Sequence, residues 1–360
     1  MKLRLGALIV AFCACLAAPA WAQDAPAVAQ AKDKDTLRAL IAAAKTEGAI
    51  AYWDAVVTPE TNDELTAAFR KYYGLPASFQ VKYTLAATLN VVTRVEQEVN
   101  SGNVTIDIAS LASPPWINSL IAKNHIMKYD SPEHANYKRA IDSGLGRAGY
   151  FVPVGAYSFI PGWNGDNMDF KGTSWRDVLG AVPPGRISTN DAPNSATGLL
   201  SYMGLRQHLG IDFFRELAKM KPRFIVRSEQ VAEALVIGQD MMAFGGSAGR
   251  FMQSNEKGAN LKFLHPKEGI VLLPDGVFIT AKAPHPNAAK LWMDFVLSET
   301  GQTILSRKEA LMSMRSGFKS PLPEYAPAID DLKVMPIDWN KITAEDIQKG
   351  KAEWQSIFAP

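Results

Sequence analysis

Thiols are nearly absent from this chain: among 360 residues there are two cysteines, Cys13 and Cys15, and both fall inside an N-terminal stretch built for removal. That stretch carries Lys2 and Arg4, an uncharged run from Leu5 to Ala18, then Pro19 and Ala20-Trp21-Ala22, a small-x-small cleavage pattern. Cutting after Ala22 leaves a chain without disulfides or thiolate metal ligands. The residues before Cys15, Phe12-Cys13-Ala14, make a poor lipobox. Long apolar runs are also missing, since the leader's uncharged segment is shorter than the roughly 20 residues that span a bilayer, and charges interrupt the later helical segments. The expected product is therefore exported into the periplasm without an anchor.

Charge of one sign is lacking too. The full sequence has 38 basic and 36 acidic residues, and loss of Lys2 and Arg4 with the leader equalises them. Nothing favours nucleic acid or a membrane surface as partner. Histidine is sparse: His125, His134, His208, His265 and His285 show neither H-x-x-E-H nor H-x-x-x-H spacing, so no metal centre is read from them. No cofactor motif is read either. Residues 23–34 combine Ala, Gln, Asp and Lys without apolar periodicity and read as a flexible tail.

From residue 35 onward, segments of helical spacing alternate with short β-rich runs, the pattern of an α/β protein with mostly parallel sheets. Helices are expected over 36–45, 59–73, 88–99 and 114–123, with strands at 49–53, 79–85 and 106–111. Residues 151–164, FVPVGAYSFIPGWN, read as an extended passage between lobes. The alternation then restarts, with a helix at 174–179, a strand at 186–189, a helix at 195–209, an Asp212-capped helix to Met220, strands at 224–226, 241–244 and 261–264, and a helix at 228–237. A second extended passage covers 270–280, and helices follow at 287–297, 299–306 and 344–358. This predicts two lobes joined by two crossover strands, lobe 1 being 35–155 with 278–360 and lobe 2 being 156–277. Such an architecture leaves a cleft that closes by hinge motion.

Several strings then carry a family likeness. Lys267-Glu268-Gly269, Pro274-Asp275-Gly276-Val277, Ala283-Pro284-His285-Pro286-Asn287-Ala288-Ala289-Lys290 and Ser298-Glu299-Thr300-Gly301-Gln302 resemble the C-terminal signature of extracellular solute-binding proteins of ABC importers, in the ferric-iron-like branch. Asn194 to Gly198 is similar to that family's Ser-Gly-Thr-type helix start, and Trp163-Asn164 stands where Tyr-Asn is frequent. The resemblance implies a type II periplasmic-binding fold, a small-molecule ligand, a monomer, and an inner-membrane permease with its ATPase as partner.

The candidate ligand contacts are Trp53, Ser113, Ser195, Thr197, Ser247, Arg250 and Asp275. Ser195 and Thr197 open a helix whose unpaired N–H groups favour an anion, the competing role being a plain cap. Trp53, Ser113 and Ser247 lie at carboxyl ends of strands, where β-α units bind ligands. Trp53 is placed to stack on a ligand or simply to pack. Arg250 is placed to neutralise an anion or to be solvated. The favoured ligand is a small organic anion or zwitterion: a phosphonate, an organic phosphate or a carboxylate. A polyamine in a Trp53-Asp54-Asp275 box and ferric iron are the alternatives, but Gly245–Gly249 has no tyrosine pair, and Tyr72-Tyr73 lies at a helix end. A rival enzyme reading uses Gly245-Gly246-Ser247-Ala248-Gly249 as a nucleophile elbow, with Asp275 and His285 completing a serine-hydrolase triad. Those partners follow so soon after Ser247 that little chain is left for the intervening strands and crossovers.

Overall fold

A computed structural model describes residues 25–358, so the leader and its cleavage site lie outside the described residues. The chain runs through α1 (Pro26–Gln30), α2 (Lys34–Glu47), β1 (Ala49–Asp54), α3 (Pro59–Tyr73), β2 (Gln80–Leu85), α4 (Thr88–Ser101), β3 (Ile108–Leu111), α5 (Pro114–Ala122), α6 (Lys138–Asp142), β4 (Val152–Tyr157) and β5 (Phe159–Asn164). It continues with β6 (Ile187–Asn190), α7 (Ala196–Leu209), α8 (Ile211–Lys219), β7 (Arg223–Ile225), α9 (Ser228–Val236), β8 (Met242–Ser247), α10 (Ala248–Asn255), β9 (Leu261–Phe263), β10 (Leu273–Ile279), α11 (Pro286–Leu297), α12 (Glu299–Glu309) and α13 (Ala344–Phe358).

Local chemistry sets many of these boundaries. Asp33 accepts from the Thr36 amide at 3.0 Å to start α2, and Gly48 ends it with φ 71°. Thr58 caps α3, Pro59 occupies its first turn, and Gly74 closes it at φ 60°. The predicted helix at 174–179 is only a 3-10 turn at Arg176–Val178, and Asp212 sits inside the first turn of α8 rather than capping it, because Gly210 holds that place.

Two five-stranded sheets result, in the orders β2-β1-β3-β10-β4 and β7-β6-β8-β5-β9. In each, three strands are parallel, and the fourth in order, β10 or β5, runs antiparallel to both neighbours. The sheets are thus more mixed than expected, because each receives a strand arriving from the other side. Ser158 alone separates β4 in the first sheet from β5 in the second. β5 lies inside its sheet despite Pro161, and its register shifts between Ile160 and Gly162. Each sheet has its own apolar core: Tyr52, Phe69, Trp292 and Phe295 for the first, Trp175, Phe213, Phe244 and Leu273 for the second.

Two boundary expectations fail. Residues 26–30 of the presumed tail form a helix, with Ala27 and Val28 buried against the first core, since two apolar residues per turn suffice to dock a short helix on α2 and α3. The C-terminal segment does not stay with the first lobe: Met335, Ile337, Trp339, Ile347 and Trp354 join the second core. Glu353 on α13 accepts from Tyr202 at 2.7 Å and from both Arg206 donors at 3.0 Å, tying α13 to α7. Beyond α12, Met312 bridges to Ala156 and Val334 to Ile270, so this returning segment lies across both passages between the sheets.

Asp294 on α11 is buried beneath Tyr129 and Ser131, which both donate to its carboxylate. Burial outweighs those donors and pushes the acid up to about 7. An acid raised in the folded state contributes stability that is fully present below its unfolded value of about 4 and lost as pH rises through about 7. Asp294→Asn is expected to flatten part of the stability loss between pH 4 and 7 in chemical denaturation, and to be the more stable chain at pH 8 by on the order of 2 kcal/mol.

Candidate functional site

Between the sheets lies a cleft of about 490 Å³, within the range of small-ligand sites. The second-sheet wall carries the starts of α7 (Ser195, Ala196, Thr197), α9 (Arg227, Ser228, Glu229) and α10 (Ser247, Gly249, Arg250); the first-sheet wall carries the start of α4 (Ala87, Thr88, Leu89). Four helix N-termini therefore open on one space. The starts of α4, α9 and α10 receive no side-chain cap, nor do those of α5 and α8 away from the cleft, whereas α2, α3 and α12 are capped by Asp33, Thr58 and Ser298. Uncapped first-turn N–H groups together with the aligned helix dipoles give the cleft an anion-attracting lining. Ser195 does cap α7, accepting from the Gly198 amide at 3.1 Å, so it acts as cap and cleft residue together.

Four of the seven residues singled out from sequence line this cleft: Ser195, Thr197, Ser247 and Arg250. Three do not. Trp53 is half-buried and packs on the apolar cluster of α4, α5 and β3. Ser113 is fully buried before α5, and its hydroxyl has no partner. Asp275 is fully buried under the cleft floor, and neither carboxyl oxygen is hydrogen-bonded. The aromatic and acidic box imagined for a polyamine is thus not part of the cleft wall. Strand ends mark one end of each sheet but not which side chains turn outward.

Asp54 and Asp275 share the buried floor with unequal support. Asp54 accepts from the Val56 and Val57 amides at 2.5 and 2.6 Å and from the Tyr52 and Ser110 hydroxyls. Burial, then the neighbouring Asp54 and Glu309, drives Asp275 well above the ordinary carboxylate range. Burial raises Asp54 too, against four donors. With no donor of its own, Asp275 is the member of the pair that keeps its proton.

Arg250 is neither solvated nor free. Its guanidinium meets Glu309 at 3.2 Å and Glu229 at 3.2 Å, and donates to Gln253 at 2.7 Å and to the Val56 carbonyl at 3.1 Å. Glu309 in turn accepts from the Thr58 amide at 2.7 Å and from the Thr58 and Thr61 hydroxyls at 2.6 Å. This network joins α10 on the second sheet to α3 and α12 on the first. Gly249 permits it: a Cβ there would sit 2.3 Å from the Glu309 carbonyl oxygen. Sequence reasoning missed Glu309 and the cleft residue Tyr157, which carry no local signal. It also passed over Leu85 at the end of β2, Leu89 in the first turn of α4 and Arg227 just after β7, all of which line the cleft.

The hydrolase arrangement is not assembled. His285 bonds Asp107 through Nδ1 at 2.8 Å and through its amide at 2.6 Å, at the amino end of β3. Asp275 sits near the carboxyl end of β3, whose Leu111 pairs with Gly276. Tyr72 and Tyr73 pack edge-on with each other and on Phe295 and Phe69, away from any metal role. Among the described residues no group of three or more His, Cys, Asp or Glu side chains is placed to hold a metal ion, and no helix is long and apolar enough to cross a membrane. A second cavity, of about 810 Å³, lies between α6 and the 313–339 segment; no helix of eight or more residues begins in it and none of the residues chosen from sequence lines it.

Two sheets exchanging strands around a cleft of converging helix starts define a two-lobed binding protein of the periplasmic type. The profile of bacterial extracellular solute-binding proteins matches residues 103–344, and the chain belongs to that family, the solute-binding subunits of ABC transporters. Among solved structures, the fold is similar to the periplasmic binding protein AfuA of Actinobacillus pleuropneumoniae, determined with fructose-6-phosphate bound (18% identity, 86% of this chain and 98% of that one, TM-score 0.72). It is also similar to iron-bound HitA of Pseudomonas aeruginosa (17% identity, 86% and 99%, TM-score 0.68). An ABC-transporter substrate-binding protein of Agrobacterium tumefaciens aligns at 14% identity over 86% and 94%, with TM-score 0.72. No curated protein sequence matches the chain.

Replacing Arg250 by Ala leaves Glu309 buried with hydroxyl and amide donors but no cation. We expect a loss of about 3 kcal/mol in urea unfolding, against less than about 1 kcal/mol for Glu229→Ala, whose carboxylate is half exposed. Equal losses would show that the Glu309 contact is not the stabilising one.

Proposed function

We propose that this protein is the periplasmic receptor of an ABC importer, closing its cleft on a small organic anion or zwitterion and presenting the closed form to an inner-membrane permease and its ATPase. It makes and breaks no covalent bond. The observation that carries the reading is the convergence of four helix starts, three of them uncapped, on one cleft between the two sheets. An anion there satisfies backbone N–H groups on both walls at once, so binding favours the closed form by the difference in contacts between open and closed states.

Electrostatics refine the part played by the arginines. Because Glu309 and Glu229 already face Arg250, it adds little net positive charge to the cleft. Arg227, two-thirds exposed and 3.6 Å from Glu229, is the cation with freedom to turn toward a ligand. Recognition therefore rests more on backbone N–H groups and on the Thr197 and Ser247 hydroxyls than on a salt bridge. The ligands of AfuA and HitA differ from one another, so kinship alone selects neither.

A thermal-shift panel of organic phosphates, phosphonates, carboxylates, spermidine and ferric citrate tests this. An anion at 100 times its dissociation constant adds about 2.7 kcal/mol of stability, and spermidine is expected to add none. Replacing Ser195 and Thr197 together by Ala should weaken the anion by more than tenfold, beyond the roughly 1 kcal/mol that losing a cap accounts for. Stabilisation by spermidine alone would overturn the reading.

A further inference from the structure

The two walls of the cleft differ in chemistry. The second-sheet wall is polar, with three helix starts, hydroxyls and arginines. The first-sheet wall is formed by Ala55, Val56, Leu85, Ala86, Ala87, Leu89 and Leu311, with Thr88, Asn90 and the Tyr157 hydroxyl as its polar side chains before the network around Glu309 is reached. Leu85 is 43% and Leu89 42% exposed, and Val226, from the opposite wall, is 46% exposed. Those three make up half of the six large hydrophobic side chains that are exposed among the described residues. A scatter of exposed apolar residues is ordinary; a set gathered in one cleft is not.

From this asymmetry we infer that the ligand is an amphipathic anion: an oxyanion head held by the helix starts of the second-sheet wall, and an apolar alkyl or aryl body covered by Leu85, Leu89 and Val226. The inference rests on the anion reading of the cleft and narrows it. Closure over an apolar body removes these side chains from water, which is the gain that drives the lobes together. A polyhydroxylated body of the same size places hydroxyls against Leu85, Ala86 and Leu89, whose side chains offer no hydrogen-bond partner, and the few first-turn amides of α4 replace only part of the water it loses. Discrimination of this kind, against a substrate whose polar groups go unpaired, exceeds what one extra methylene provides.

Matched ligand pairs decide the matter by titration calorimetry on the mature chain: benzylphosphonate against 2-hydroxyethylphosphonate, and phenylacetate against glycolate. The apolar member of at least one pair is expected to bind more than tenfold tighter, with a negative heat-capacity change of binding. In the double variant Leu85→Asn, Leu89→Asn the ratio of the two affinities should fall below about threefold, and a ratio that stays above tenfold removes these leucines from the recognition of the apolar body. Both positions are more than 40% exposed, so the fold should tolerate the change; should it not, the comparison on the unaltered chain decides by itself. Polar members binding as tightly as apolar ones overturns this inference and leaves the anion reading standing. No binding by any of the four, nor by the wider anion panel, overturns both.

Discussion

The structure depends on an exchange of strands. Each sheet takes into its interior a strand that has just crossed from the other: β5 leaves the first sheet through the single residue Ser158 and is hydrogen-bonded on both sides in the second, and β10 returns from the second to sit between β3 and β4. Neither core can be finished without the other half of the chain. The cleft is what remains between two bodies joined in this way, and the helix starts face it because β-α units place them at the carboxyl ends of their strands. Binding chemistry here is a consequence of topology, with side chains adjusting what backbone geometry has supplied.

The floor of that cleft is acidic and closed to water. Three carboxyls, Asp54, Asp275 and Glu309, are accommodated in three ways: by amides and hydroxyls around Asp54, by retention of a proton on Asp275, and by Arg250 facing Glu309. Only the last involves both sheets. The ion pair is therefore also a contact between lobes, and the missing side chain at Gly249 is what lets α10 and α12 come close enough to make it.

Much of the fold was legible in the sequence, because it follows from local rules. Capping residues and left-handed glycines such as Gly48 and Gly74 placed helix ends within a residue or two, and β-branched runs placed the strands. The two passages between lobes were visible as extended segments whose proline and glycine suited neither a helix nor a regular strand. The destination of the last forty residues was not: α13 reads equally well on either lobe, and its docking was decided by Trp354 and Phe358 meeting Phe224, a contact between positions far apart in sequence. The site divided the same way. The positions of Ser195, Thr197 and Ser247 on the cleft follow from local helix starts, whereas Trp53 packs on an apolar cluster and Ser113 and Asp275 are buried, which depends on contacts distant in sequence. Glu309 gave no sign at all, since its importance is made by Thr58, Thr61 and Arg250, none of them nearby in the chain.

The segment that returns after α12 has an effect on hinge mechanics. It bridges Met312 to Ala156 beside the first passage and Val334 to Ile270 beside the second, then anchors the Trp339 indole on the Leu272 carbonyl at 3.0 Å. Lying across both passages, it is placed, in the closing receptor proposed above, to act as a belt on the hinge and to narrow the set of open shapes. A receptor with fewer open shapes surrenders less conformational entropy when it shuts. In the closing receptor proposed above, part of the affinity for whatever enters the cleft is thus set by a length of chain that meets it only at Leu311.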